Sequence, residues 1–206
     1  MTSRRWESGP LRADLALVAD QVPSGSRVLD LGCGSASLLA WLMSERGCTG
    51  TGVEIDPDKV LAAMRRGVPI LEQDVDRGLG EFADASYDVC VLSRTIQTIQ
   101  RPEYVLTQMG RIAGLLVVSV PNFGWWRHRL RLLGGRMPVS KELPYSWYDT
   151  PNLRHTTLLD LERLFDQLGF SVVKRFTFTE DGRQLRSQGI RANLTAGAAV
   201  YVLRPS

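Results

Sequence analysis

The sequence predicts an α/β fold, a doubly wound sheet of mostly parallel strands with helices on both faces. Short apolar runs alternate with stretches of helical periodicity along most of the 206 residues, the pattern that parallel strands and crossover helices leave in a chain. The first run, residues 28–31, passes through a turn holding Gly32 and Gly34 straight into a stretch with leucines and Trp41 at helical spacing, so RVLDLGCGSASLLAWL reads as strand, turn and helix. Three early runs each deliver an acid at or just past their ends: Asp30, Glu54 and Asp74. Ligands of open α/β sheets bind in the crevice outside the strands' carboxyl ends, so acids that mark strand ends also mark a site.

Taken in order, residues 11–21 (LRADLALVADQ) have helical spacing and are read as a leading helix covering one edge of the sheet, ended by Pro23, Ser24 and Gly25. After the first strand and turn, residues 37–46 are helix. Gly47 and Gly50 bracket the way into a second strand, residues 50–55. Asp56 then caps a helix over residues 58–66 with Pro57 at its first position. Residues 68–71 are read as a short buried strand, followed by Asp74 and an acidic loop, 76–84. Residues 86–93 (SYDVCVLS) are apolar enough for a fourth strand buried on both faces. Its end, Ser93 and Arg94, should look into the crevice. A helix over 102–112, a strand over 114–120, a helix over 158–168 closed by Gly169, and strands over 170–178 and 198–203 complete the pattern. The polar stretch 179–197 is read as a loop.

Composition sets the class. With 44% hydrophobic and 23% charged residues, the chain is expected to be one globular domain, residues 1–206. No apolar run approaches the roughly 20 residues that span a bilayer. The N-terminal MTSRRWESGP lacks the apolar core of a signal peptide, so no membrane and a cytoplasmic location are expected. Cys33, Cys48 and Cys90, with two histidines and no C-x-x-C pair, argue against disulfides and against a metal. A net charge of +3 is too small to argue for nucleic acid.

The turn chooses a cofactor class by electrostatics. A dinucleotide brings a pyrophosphate, wants a third glycine at the sixth position of the turn, and gains nothing from a carboxylate. Here that position is Ser37 and the strand end is Asp30. S-adenosylmethionine (SAM) carries no phosphate, and its amino group and sulfonium are cationic. An acidic strand end beside a tight glycine turn suits it. Glu54 is then placed to meet ribose hydroxyls and Asp74 an adenine amino group. Cys33, inside the turn, is read as a small filler rather than a nucleophile.

These residues resemble the class I SAM-dependent methyltransferase fold, a Rossmann-like sheet of seven strands with the last strand antiparallel and inserted near one edge. The resemblance implies SAM or S-adenosylhomocysteine (SAH) at Asp30, Gly32, Cys33, Gly34, Glu54, Ile55, Asp74, Val75 and Ser93. Many relatives have a third glycine where this chain has Ala36, after Ser35 where an acid is common, so an extra methyl beside the ligand is expected. The histidine base of many small-molecule methyltransferases is replaced by TIQTIQ, residues 95–100, and catalytic residues are left unassigned.

Residues 122–155 form a long insert with Phe123, Trp125, Trp126, Tyr145, Trp147 and Tyr148. Trp126, Leu130 and Leu133 share one helical face and Arg127 and Arg131 another. Two readings stay open: the helix packs on the protein's own sheet, or the insert with Arg129 and Arg136 meets a partner. This stretch is similar to the segment that distinguishes the MetW family of methionine-biosynthesis proteins. That resemblance implies a role beside homoserine O-acyltransferase, as an accessory or activating subunit docking through the insert. The alternative is a SAM-dependent methyltransferase whose small-molecule substrate touches Tyr145, Tyr148 and His155. No Ser-His-Asp set or G-x-S-x-G elbow is present for acyl transfer.

Overall fold

The computed structural model describes residues 11–186 and 189–206. The N-terminal stretch read as lacking a signal peptide, and residues 187–188 of the loop read over 179–197, lie outside the described residues. One sheet takes in eight strands: β1 (Arg27–Leu31), β2 (Thr49–Glu54), β3 (Ile70–Glu72), β4 (Tyr87–Ser93), β5 (Ala113–Pro121), β6 (Phe170–Phe178), β7 (Gln184–Leu185) and β8 (Ala198–Pro205). Their order is β3-β2-β1-β4-β5-β8-β6-β7. Strands β3 to β5 in that order run parallel, and β8 lies antiparallel between β5 and β6. The order reverses between β1 and β4, which opens a crevice at their carboxyl ends.

Alternation along the strands builds two cores. Leu29, Leu31, Cys90, Leu92, Leu116 and Val118 face one side, where they meet α4 (Pro102–Ile112) and α6 (Leu158–Gln167). Val28, Val89, Val91, Val117 and Val200 face the other, under α1 (Ala13–Asp20), α2 (Ser37–Glu45) and α3 (Pro57–Arg65). The side chains of β1 and β4 are thereby buried on both faces, which is why those runs are apolar with no polar alternation. Asp56 Oδ1 accepts the backbone N–H groups of Asp58 and Lys59 at 3.0 and 3.4 Å, the cap expected of it.

Four expectations need correction. There are eight strands, not seven: β7 pairs with the end of β6 across a turn in which Gly182 has φ +78°, and Asp181-Gly182 is a hairpin signal. The stretch read as a loop also holds α7 (Gly189–Thr195), which buries Ala192 and Asn193. Strand β3 is an edge strand, with Leu71 44% exposed, rather than a buried one. Helix α1 packs Val18 and Ala19, with Val22 just beyond its end, on a face of the sheet, not over its edge. Among the described residues no helix is long and apolar enough to cross a membrane.

Within the insert, α5 (Trp126–Leu133) forms as its spacing predicts. It buries only His128; Trp126, Leu130 and Leu133 are 42%, 57% and 84% exposed. The face formed by Trp126, Leu130 and Leu133 is therefore not buried against the protein's own sheet. Asn122, fully buried, fastens the start of the insert by donating to the carbonyls of Asn193 and Ala196 at 2.7 and 2.8 Å.

Candidate functional site

The nine residues singled out above line two adjoining cavities of about 570 and 840 Å³ that share Arg12, Gly32, Gly34 and Ser93. Asp30, Gly32, Cys33, Gly34 and Ser93 line the first; Glu54, Ile55, Asp74 and Val75 line the second. Strands β1, β2 and β4 end side by side, so three stretches distant in sequence meet within one crevice.

The turn after β1 is built to bend. Gly32 has φ +66°, and a Cβ there would collide with the side chain of Thr95. Gly34 has φ +58°. Its N–H donates to Glu54 Oε2 at 2.8 Å, while Glu54 Oε1 accepts from Ile55 N–H and Asp56 N–H at 2.9 and 3.0 Å. Glu54 thus ties the carboxyl end of β2 to the turn of β1, a task the sequence did not reveal. Ala36 also sits in the left-handed region, at φ +54°. Its methyl is fully buried in the core beside α2 and lines neither cavity, so the expectation of an extra methyl beside the ligand is corrected. What Ala36 costs is backbone strain of about 1 kcal/mol, the penalty of the left-handed region to a residue with a Cβ.

Asp30 is the site's electrostatic centre. It is 3% exposed, and its carboxylate accepts no hydrogen bond from the described residues. Burial, and to a lesser degree the nearby Glu54, pushes its pKa up to about 7. A buried carboxylate with no donor among the described residues is the group a positively charged ligand stabilises most. Cys33 packs against Gly52, where an added Cβ would lie 2.5 Å from Sγ. Burial first, then Asp30 and Glu54, raises its thiol pKa well above the ordinary range. Cys33 thus fills the space against Gly52, and burial disfavours its thiolate.

Asp74 is half-buried and partly occupied by its own loop: Oδ1 accepts Asp76 N–H at 2.9 Å. Ile55, just past β2, is 61% exposed on the rim of the larger cavity. Ser93 Oγ lies 3.1 Å from Ser119 Oγ. Of the three proposed substrate contacts, Tyr145 lines the larger of these two cavities, and Tyr148 and His155 line neither. Tyr148 is 76% exposed, and His155 stacks on Phe123 with ring centroids 4.7 Å apart.

Sequence reasoning missed four crevice residues: Arg12, Asp76, Gln97 and Glu142. Asp76 is buried and accepts Gln100 N–H and Arg101 N–H at 2.9 and 2.7 Å, holding the segment after β4. Glu142 comes from the insert and pairs with Arg94, whose other nitrogen is 3.3 Å from Asp14 of α1. No local signal marks a loop acid as a wall of a cavity more than 80 residues from its first strand.

A family model described as "methionine biosynthesis protein MetW" matches residues 12–203. The chain belongs to the MetW family. A bifunctional methionine biosynthesis protein MetXA/MetW of Rhodopirellula baltica is 30% identical over 92% of this chain, which spans 32% of that relative's length. Among solved structures, a SAM-dependent methyltransferase of Thermotoga maritima aligns with TM-score 0.68 at 19% identity, over 94% of this chain and 88% of that one. The [4+2]-cyclase SpnF aligns with TM-score 0.66 at 16% identity, over 93% and 80%. The MetW family chain thus has the class I methyltransferase fold, and that fold carries more than one reaction type.

Proposed function

We propose that this MetW family chain binds SAM or SAH in the two joined cavities and serves methionine synthesis as an accessory subunit of homoserine O-acyltransferase. The observation that carries the cofactor half is Asp30: a buried carboxylate with no donor among the described residues, beside a bent glycine turn, fits a cationic nucleoside and does not fit a pyrophosphate. Asp30, Gly32, Cys33, Gly34 and Ser93 would surround the amino-acid end, and Glu54, Ile55, Asp74 and Val75 the nucleoside. When bound, SAM supplies a methyl group on a sulfonium.

Two observations support the partner half. The Rhodopirellula relative carries MetXA and MetW names in one polypeptide, and fusion gives two modules a high effective concentration for each other. Five arginines and one lysine against two acids give residues 122–155 a charge of +4, while the whole chain carries +3. The insert therefore holds the positive charge, and α5 sets Trp126, Leu130 and Leu133 on its exposed surface with Arg127 over the rings of Trp125 and Trp126. Exposed aromatic residues and arginines are the side chains that anchor protein interfaces, and an acidic surface on the acyltransferase is the matching chemistry.

The test mixes purified acyltransferase with this chain. A gain in acylation rate with co-elution is expected; unchanged rate and separate elution would overturn the reading. Calorimetric titration with SAM and SAH tests the cofactor half.

A SAM-dependent methyltransferase acting on a small molecule is the second reading. It is favoured by a third cavity of about 580 Å³ that adjoins the crevice at Arg94 and Glu142 and is floored by Leu17, Val120, Phe178 and Val200. Methyl transfer from a sulfonium needs alignment and exclusion of water more than a base. Labelled methyl from SAM appearing in a metabolite would establish this reading.

A further inference from the structure

The turn after β4 is held in an uncomfortable state. Arg94 has φ +53°, a left-handed backbone for a residue with a long side chain, fixed by its N–H donating to Ser119 O and Ser119 Oγ at 3.1 and 3.0 Å. Gln97, 8% exposed, donates from Nε2 to the Arg94 carbonyl at 2.7 Å, but its Oε1 is buried with no partner among the described residues. Strained backbone and orphaned buried acceptors are rare, and they persist where a second state or a ligand relieves them.

The same turn fastens both ends of the segment 142–154. Glu142 pairs with Arg94 at one end. At the other, Leu153 N–H and Arg154 N–H donate to the Gln97 carbonyl at 2.8 and 2.9 Å. The segment borders the larger cavity as a strap: Glu142, Pro144, Tyr145, Pro151 and Asn152 line it together with Glu54 and Asp74. Between its fastenings only Leu143 is buried, while Trp147 and Tyr148 stand 71% and 76% exposed, edge to face at 5.7 Å. The Glu142 carboxyl is pushed above its ordinary range, chiefly by burial. With so little burial of its own, the strap depends on what lies beneath it and on the turn.

We propose that turn 94–97 is a switch through which a ligand in the crevice fastens the strap and fixes the exposed Trp147–Tyr148 pair for a partner. The proposal rests on the cofactor reading above. A cationic nucleoside rich in N–H and O–H donors fills the space under the strap. A small shift of the turn brings the Gln97 oxygen to a donor. The coupling is reciprocal: whatever holds the strap also tightens the ligand.

Hydrogen exchange on the full chain tests this, with and without saturating SAH, saturation being established by calorimetry. SAH should slow exchange in 142–154 by about tenfold or more, the factor that one charge-assisted hydrogen bond supplies. Glu142→Gln should leave that segment exchanging fast with or without SAH and weaken SAH by several-fold, with protection of β5 and α4 unchanged. Glu142→Asp, which keeps the charge, should restore part of the response. Calorimetric binding of SAH with strap exchange unaltered within twofold, or a full response in Glu142→Gln, would overturn the switch alone. Absence of SAH binding would overturn the cofactor reading and the switch with it.

Discussion

Replacing Asp30 with asparagine separates the stability cost of the site from its function. Asp30 is 3% exposed, and its carboxyl titrates at about 7 in the folded chain against 3.8 for the ordinary group. A carboxyl whose folded pKa is raised binds a proton in the native state that the unfolded state has released. Stability therefore falls as pH rises from near 4 to near 7, and levels off above. Between pH 5 and pH 8 the loss works out to about 2–3 kcal/mol, from 1.4 kcal/mol per pH unit over the part of the window where only the native state holds the proton. Asparagine fills the same space and does not titrate. Urea unfolding at the two pH values should show the Asp30→Asn chain gaining about 2–3 kcal/mol on the wild type at pH 8 relative to pH 5. Comparing the difference across pH cancels whatever the amide itself costs. SAM binding should move the other way: weak in the variant, and in the wild type tightening as pH rises through 7, because the cation favours ionised Asp30. Stability curves that run parallel in the two chains, within about 0.5 kcal/mol, would refute the reasoning.

Ala36→Gly should leave SAM affinity unchanged by calorimetry, because the methyl faces the core. Its stability should change by less than about 1 kcal/mol, relief of left-handed strain offsetting the lost methyl and the looser unfolded chain. Gly32→Ala should destabilise by about 2 kcal/mol or more in urea unfolding and abolish SAM binding, since Thr95 fills the space a Cβ needs. Glu54→Gln should weaken SAM by about tenfold or more while Asp30→Asn binding loss is at least as large, since Glu54 acts by holding Gly34, Ile55 and Asp56. Trp147→Ala should lower stimulation of the acyltransferase with a change in unfolding free energy below about 0.5 kcal/mol, as befits a side chain 71% exposed.

What the sequence made legible was what periodicity and backbone chemistry encode. Apolar runs without alternation gave β1, β4 and β5, and Gly32 and Gly34 gave the bend, because each of these signals is local. Strand β7 is two residues long, too short to show a period, and only Asp181-Gly182 announced it. Helix α7 was hidden because it buries just Ala192 and Asn193. The three acids were found because they close strands; Arg12, Gln97 and Glu142 were not, because each reaches the crevice from an element whose position only the packed fold sets. The exposed face of α5 was legible as amphipathic, but spacing alone does not say whether an apolar face meets its own sheet or nothing.

The two innermost carboxylates show how the crevice divides its labour. Glu54 accepts three backbone N–H groups, one of them from Gly34, and its charge is consumed in holding the turn. Asp30 lines the adjoining cavity and accepts none from the described residues, so its charge costs stability as pH rises toward neutrality. A stability-optimised chain would carry an apolar residue or an amide there. On the proposed function, the acid left unpaired in the buried site is the ligand's, and the ligand that would answer an unpaired anion beside a bent glycine turn is a cation. On that reading Glu54, satisfied by the backbone, builds the site, and Asp30, left unsatisfied by it, meets what enters.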